Sequence, residues 1–269
     1  MNTTTDIFKH QYGPWGLVTG ASDGIGRDFA RELAAKGLNL VLVARRKDRL
    51  ESLATELEST YHVRVVCQPV DLANADDCEH LLRSVEHLEI GLLVAAAGFG
   101  TSGLSIHTDP DMEADLVQVN CRAVLQQSLH FSRLMVKRKR GGLILISSVL
   151  AFQGTPFSAN YAASKAYIQS LAEGLSVELK PFGIDVLAVA PGPVASGFSQ
   201  RANMDLGKTM SSEVVARASV AALGRRTFIR PGWLSKLLGW SLSTAPRFVR
   251  VFIIGNLMKK MSGVRIGAQ

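Results

Sequence analysis

Cysteine is scarce: Cys67, Cys78 and Cys121 are the only three in 269 residues, and their spacing matches neither a zinc site nor a CxxC redox pair. An odd, scattered set reads as buried or free thiols in a reducing compartment, so the expected location is cytoplasmic. Met1–Gly13 is polar and holds no apolar core of the kind that marks a signal or transit peptide. No run reads as a membrane span; the longest uncharged one, Gly141 to Ser164, is broken by Gly154, Pro156 and several serines and reads as a buried strand followed by a loop. The six histidines (His10, His62, His80, His87, His107 and His130) do not cluster at ligand spacing, so no catalytic metal is expected. Without a G-x-S-x-G elbow, serine-hydrolase chemistry is disfavoured.

Acidic residues are missing altogether after Glu213. The net charge of +7 is therefore lopsided: the first 213 residues hold 20 of the 30 basic side chains and all 23 acidic ones, for −3, and the rest carries +10. A basic protein invites a nucleic-acid reading, but the body is slightly acidic and carries no nucleic-acid motif, so no such partner is expected. The charge belongs to one appendage.

What is present is a globular composition, 47% hydrophobic and 20% charged, in a length that suits one α/β domain. Strand-length apolar runs at Trp15–Thr19, Asn39–Val43, Arg64–Val70, Gly91–Ala95, Leu143–Ser147 and Ile184–Val189 alternate with helix-periodic segments near Gly24–Lys36, Lys47–Glu58, Ala75–Glu86, Asp111–Arg140 and Ser158–Lys180. The strands lack the polar alternation of a one-sided sheet, which predicts helices on both faces of a parallel sheet. Lys137–Arg140 puts cations at a helix C-terminus that stops at Gly141-Gly142, and Pro181-Phe182-Gly183 ends the next helix. The expected architecture is a single doubly wound, Rossmann-like α/β domain over residues 1–224, with a helical extension over 225–269 packed on it.

Between the first strand and the first helix lies Thr19-Gly20-Ala21-Ser22-Asp23-Gly24-Ile25-Gly26. Gly20 permits a tight turn, Gly24 lets backbone approach a pyrophosphate, and Gly26 lets helix and sheet pack closely; the helix N-terminus offers N–H groups to phosphates. The spacing is G-x3-G-x-G rather than G-x-G-x-x-G, and its weight comes from the strand–turn–helix context. Ser22, Asp23 and Ile25 join the glycines as expected cofactor contacts. The second strand runs out into Arg45-Arg46, where an NAD-preferring fold carries an acid. Two planar donor forks suit a 2′-phosphate and favour NADP(H); the bland alternative is a pair of solvated arginines at a helix start.

Tyr161 and Lys165 stand four apart at the start of a predicted helix, so phenol and ammonium share one face. A nearby cation would lower the phenol pKa and poise it for acid–base work; the alternative is a ring packed on a lysine stem. Ser147 and Ser148 end the preceding strand, where doubly wound sheets bind ligands. Asn120 is either part of a polar relay to Lys165 or an ordinary buried amide satisfied by backbone.

With Asp71-Leu72, Ala97-Gly98 and Pro191-Gly192-Pro193-Val194 added, the residues resemble the short-chain dehydrogenase/reductase family over nearly the whole chain. Ser148, thirteen residues before Tyr161, has the family's separation and is chosen over Ser147. The resemblance implies Tyr161 as acid/base, Ser148 orienting the carbonyl, Lys165 lowering the tyrosine pKa and holding the nicotinamide ribose, and Asn120 supporting a water-linked proton path. It also implies Asp71 and Leu72 facing adenine, Ala97 and Gly98 the adjoining ribose, Pro191, Gly192 and Val194 the nicotinamide, and Ser196 its carboxamide. A homodimer or homotetramer is expected. One departure stands out: Ala96 occupies the place of the family's asparagine. Tyr12-Gly13-Pro14-Trp15, Leu88-Glu89-Ile90-Gly91-Leu92-Leu93 and the tail are similar to the 3-ketoacyl-CoA reductase and 17-beta-hydroxysteroid dehydrogenase-like branch, whose frequent N-terminal membrane segment is not found here. The implied substrate is a carbonyl or alcohol on an acyl-chain or steroid-like body.

Residues 232–243 and 246–261 read as two short, apolar, basic helices. They could pack on the domain or on another subunit, lie on an anionic membrane, or wall a site for a long apolar substrate. Residues 195–215 have the composition of a mobile lid. Two rival functions remain open: a catalytically silent NADP-binding regulator, and a peripheral membrane protein acting through its tail.

Overall fold

A computed structural model describes residues 3–202, 204, 207, 209–232 and 246–263. Seven strands form one parallel sheet in the order β3-β2-β1-β4-β5-β6-β7. They are β1 (Trp15–Thr19), β2 (Asn39–Ala44), β3 (Val65–Pro69), β4 (Ile90–Ala95), β5 (Gly141–Ile146), β6 (Ile184–Val189) and β7 (Phe228–Ile229). Each central strand divides its apolar side chains between the two faces. Leu40 and Leu42 of β2 pack into one core with Phe29, Leu33, Leu50 and Val215, while Val41 and Val43 pack into the other with Leu81, Phe131, Met135 and Ile168. Burial on both sides is why the strands read as continuous apolar runs rather than alternating ones.

The first core is covered by α2 (Gly24–Ala35), α3 (Lys47–Tyr61) and α9 (Ser212–Ala222), and the second by α4 (Ala75–Ser84), α6 (Ala123–Arg138) and α7 (Ala159–Glu178). Strand order reverses between β1 and β4, and this opens a crevice at the carboxyl ends of the strands. The sheet, its direction and six of its strands match expectation, with boundaries shifted by at most two residues.

Several details differ. Asp111–Arg140 is not one helix: α5 (Pro110–Val117) passes through a π-turn at Gln118–Arg122 into α6. Helix α6 also ends earlier than expected, because Lys139 adopts a left-handed conformation (φ 55°) and donates its N–H to Val136. Gly141 and Gly142 therefore open β5 instead of stopping the helix. An N-terminal helix, α1 (Thr3–Tyr12), was not anticipated; Tyr12 anchors it by donating its hydroxyl to Asp185 at 2.7 Å. Strand β7, beside β6, was also not anticipated.

Within 195–215, α8 (Phe198–Ala202) and a bridge between Val194 and Met210 are formed, while residues 203, 205, 206 and 208 fall outside the described set. Of the two tail helices, nearly all of the first (232–243) lies outside the described residues. The second is α10 (Arg247–Met261), whose Ile254 and Met258 pack with Ala202, Met204, Leu150, Phe157 and Phe198. Among the described residues no helix is long and apolar enough to cross a membrane.

Candidate active site

The crevice is a cavity of about 770 Å³ running from the β1–α2 turn to α10. Its walls at one end are the glycine turn. Gly20 (φ 69°) and Gly24 (φ 50°) take left-handed backbone that a side chain would strain. Gly26 is required by proximity: a Cβ there would stand 2.3 Å from the Gly20 carbonyl oxygen. Asp23 caps α2 by accepting the Gly24 N–H at 2.8 Å, and its second oxygen accepts the Gly197 N–H at 3.2 Å. One carboxylate thus fastens the turn to the segment after β6. Ser22 accepts a hydrogen bond from Arg46 at 2.9 Å, and Ile25 packs toward the first core.

The end of β2 supplies Arg45 and Arg46 to the same cavity, Arg45 lying 3.7 Å from Asp71 and Arg46 3.9 Å from Asp23. Arg49, one turn into α3, and Arg201, on α8, line it too. Burial lowers the Arg201 pKa, and Arg46 and Arg45 lower it further against the pull of Asp23. Neither Arg49 nor Arg201 was singled out from the sequence. Arg49 was legible as the next residue on the exposed face of α3; Arg201 depends on how the chain returns after β6.

Asp71, Leu72, Ala97, Gly98, Pro191, Gly192, Val194 and Ser196 all line the cavity. The Ala97 N–H is held by the Thr19 hydroxyl at 3.0 Å, and a Cβ on Gly20 would meet Ala97 at 2.9 Å, so the β4 end presses on the glycine turn through backbone alone. Ala96 there adds only a small side chain to the first core, and that contact needs no amide.

Tyr161, Lys165 and Ser148 meet in the middle of the cavity. The first turns of α7 place the phenol beside the β5 end, close enough to Ser148 for that hydroxyl to lower its pKa. The Ser148 hydroxyl also accepts the Leu150 N–H at 3.2 Å. Ser147, which also lines the cavity, donates its hydroxyl to the Lys165 carbonyl at 3.0 Å, so the two serines have different partners.

Electrostatically the pair differs from expectation. Burial pushes the Tyr161 phenol up to about 12, and the Ser148 hydroxyl only partly offsets this. Burial also pulls Lys165 down to about 8. Its ammonium donates to the Ile146 carbonyl at 2.9 Å and lies 5.7 Å from the centroid of the Tyr161 ring. The expectation that the ammonium acidifies the phenol is thus corrected for the chain by itself: desolvation outweighs the cation, whose own charge is disfavoured in the same dry site.

Asn120 sits in the π-turn, almost fully buried, and does not line the cavity. Its amide accepts the Phe99 N–H (3.1 Å) and donates to the Phe99 carbonyl and the Ser164 hydroxyl (both 3.0 Å). A Cβ on Gly98 would meet Asn120 Oδ1 at 2.9 Å and Lys165 Nζ at 3.3 Å, so the amide and the ammonium flank this glycine. The backbone-satisfied reading describes its bonds, and no direct hydrogen bond joins it to Lys165.

Beyond Tyr161 the cavity becomes apolar, lined by Phe99, Leu150, Phe152 and Phe198 and by Ile254, Leu257, Met258 and Met261 of the extension. Phe198 packs on Tyr161 at 5.3 Å between ring centroids. Among the described residues no group of histidine, cysteine or carboxylate side chains could hold a metal.

The residues present fit a nicotinamide dinucleotide: a glycine turn with no room for side chains, four arginines (Arg45 and Arg46 after β2, Arg49 in α3 and Arg201 on α8) lining the same cavity, and a tyrosine–serine pair where the strands stop. A short chain dehydrogenase family model matches residues 15–207. A very-long-chain 3-oxoacyl-CoA reductase of Phaeosphaeria nodorum is 32% identical over 86% of this chain and 71% of its own. A 7beta-hydroxysteroid dehydrogenase of Clostridium sardiniense is 33% identical over 69% and 71%. A short-chain dehydrogenase from Sphingobium yanoikuyae, solved in complex with NADPH, superposes with a TM-score of 0.77 at 31% identity, over 81% of this chain and 87% of that one. The chain belongs to the short-chain dehydrogenase family, oxidoreductases that interconvert a carbonyl and an alcohol with a nicotinamide cofactor.

Proposed function

We propose that the chain is an NADP(H)-dependent reductase of ketones on apolar, acyl-chain or steroid-like bodies. The observation that carries this reading is the Tyr161–Ser148 pair, set between an arginine-rich nucleotide end and an apolar pocket in one cavity. Gly20, Gly24 and Gly26 with Ser22, Asp23 and Ile25 hold the pyrophosphate against the α2 N-terminus. Arg45 and Arg46, joined by Arg49 and Arg201, take the 2′-phosphate. Asp71 and Leu72 border the adenine, Ala97 and Gly98 the adjoining ribose, and Pro191, Gly192, Val194 and Ser196 the nicotinamide.

When bound, the cofactor supplies or accepts the hydride at the carbonyl carbon. Ser148 orients the carbonyl oxygen, and Tyr161 gives it a proton. Burial that raises the phenol keeps its proton in place in the chain by itself, and giving that proton up calls for a positive charge beside the phenolate. Lys165, fixed on the Ile146 carbonyl, holds the nicotinamide ribose and stabilises the phenolate that remains. Asn120 holds the backbone at Phe99 and thereby keeps Gly98 against Lys165.

Residues 1–224 form the catalytic unit, and the extension from 225 closes its apolar end. A cytoplasmic homo-oligomer is the expected state. Contact with an anionic membrane through the tail has an observation of its own in its favour: Phe248, Phe252 and Ile253 are exposed on α10 beside Lys259 and Lys260. Loss of NADPH absorbance over a panel of ketones and ketoacyl thioesters tests the reductase reading. A protein that binds NADPH but turns over no member of the panel would be the silent regulator instead.

A further inference from the structure

Arg230 follows directly on β7, at the carboxyl end of the sheet, where ligands of doubly wound folds lie. It lines the cavity that holds Tyr161. Its guanidinium stands over two rings, 4.4 Å from the centroid of Phe152 and 5.1 Å from that of Phe228, and those rings pack on each other at 5.8 Å. Phe152 closes the short 3-10 turn that starts after Ser148, so the cation is tied to the element that carries the reacting serine.

Among the described residues the group is oriented, partly desolvated and has no counter-charge. Its Nε is buried with no hydrogen-bond partner, and burial lowers its pKa with no acidic group opposing the shift. The cavity has three carboxylates among the described residues: Asp23 and Asp71 lie beside Arg46 and Arg45 at the other end, and neither they nor Asp115 comes within ion-pairing distance of Arg230. The tail cannot supply one from its side chains, because no acidic residue follows Glu213. A guanidinium partly withdrawn from water without an anion carries a desolvation cost, and its planar fork is shaped for a carboxylate or a phosphate.

We propose that Arg230 receives an anionic group of the substrate, so that the ketone bound by Tyr161 sits on an apolar body that also bears a carboxylate or phosphate. This rests on the reductase reading and narrows it to amphipathic, negatively charged ketones. The two aromatic faces fix the fork in advance, and the apolar walls between Arg230 and Tyr161 take the hydrocarbon. Arg250 of α10 lines the same cavity and adds to its positive potential.

The test compares the full-length protein with Arg230→Met and Arg230→Lys on two matched pairs of ketones. One pair is a steroid ketone with a carboxylate side chain and its methyl ester. The other is a 3-oxoacyl-CoA and the neutral N-acetylcysteamine thioester of the same acid. The wild type should show a KM at least tenfold lower for the charged member of one pair, and which pair it is tells carboxylate from phosphate. Arg230→Met should remove that preference while kcat, the KM for neutral partners and the NADPH Kd stay within twofold; Arg230→Lys should keep part of it. Equal KM changes for charged and neutral members would mean a packing role and overturn the proposal, as would an unchanged preference in Arg230→Met. Calorimetry with dodecanoate and with its methyl ester separates this from failure of the reductase reading. If no ketone is reduced, loss of dodecanoate binding in Arg230→Met alone still upholds the anion site, and equal binding by both proteins overturns it.

Discussion

The two ends of the cavity handle positive charge in opposite ways. At the nucleotide end, Arg45 and Arg46 remain well exposed and have Asp71 and Asp23 close by, so water and acids carry much of their charge. At the substrate end, burial lowers the pKa values of Lys165 and Arg230, and among the described residues neither has a carboxylate partner. The first arrangement costs little and tunes which dinucleotide binds. The second stores unfavourable desolvation that a ligand can relieve, and so it governs chemistry and substrate choice.

The largest effect should come from the group between the two ends. Tyr161→Phe removes the proton donor and should lower kcat by about 10²–10⁴-fold. Binding of NADPH, followed by its fluorescence, should stay within about twofold; a variant that still turned over at the parent rate would remove Tyr161 from the mechanism. Next, Gly26→Ala forces a Cβ to 2.3 Å from the Gly20 carbonyl oxygen. It should cost about 1–3 kcal/mol in urea denaturation and weaken NADPH and NADH alike; unaltered stability and affinity would show that the turn yields.

Arg46→Ala probes the exposed cation and should reduce the preference for NADPH over NADH by about tenfold, with NADH affinity nearly unchanged. An equal loss for both would move Arg46 away from the 2′-phosphate.

The smallest effect is on stability and bears most directly on the contrast. Lys165 is lowered to about 8 from 10.5, so between those values the unfolded chain binds the proton that the folded one refuses. The Lys165 contribution to stability should therefore rise with pH through that window, by about 1–3 kcal/mol at most. Tyr161, raised to about 12 from 10.0, works in the opposite sense above pH 10, and the thiols of Cys67, Cys78 and Cys121, which burial raises above 9.0, oppose the rise near pH 9. The change in urea midpoint from pH 7.5 to 9.5 should therefore be more positive in the wild type than in Lys165→Met, with Arg45→Ala matching the wild type. A change no more positive in the wild type than in Lys165→Met would reverse the assigned sign.

The sheet was legible because its strands are buried on both faces: Leu40 to Val43 alternate between two cores, and no polar residue interrupts them. The glycine turn was legible because steric exclusion at Gly20, Gly24 and Gly26 leaves a fixed spacing in the chain. β7 escaped notice because two residues, Phe228 and Ile229, are too few to show a period. Arg230 and Arg201 were hidden for another reason: a cation's role depends on what lies across the cavity, and only tertiary structure supplies that. The mutual influence of Tyr161 and Lys165 was misjudged because spacing along a helix reports proximity and is silent about desolvation. The tail helix reading was right about α10 and left its place open; Ile254 and Met258 face Ala202 and Met204, a pairing no local pattern could reveal.

The π-turn at Gln118–Arg122 holds one residue more than a regular helical turn would need. The wider turn absorbs that surplus residue, so α5 and α6 keep nearly the phase of one continuous helix, while the residues inside the turn, Asn120 among them, project differently than they would on an α-helix. Removing one residue from the turn would let a continuous α-helix form, with better local geometry than the parent. The same deletion would leave α5 and α6 nearly in phase and re-aim only the side chains of the turn itself. Such a variant would be a more regular helix and a worse enzyme, because Phe99 and Gly98 would lose the amide that steadies them beneath Lys165.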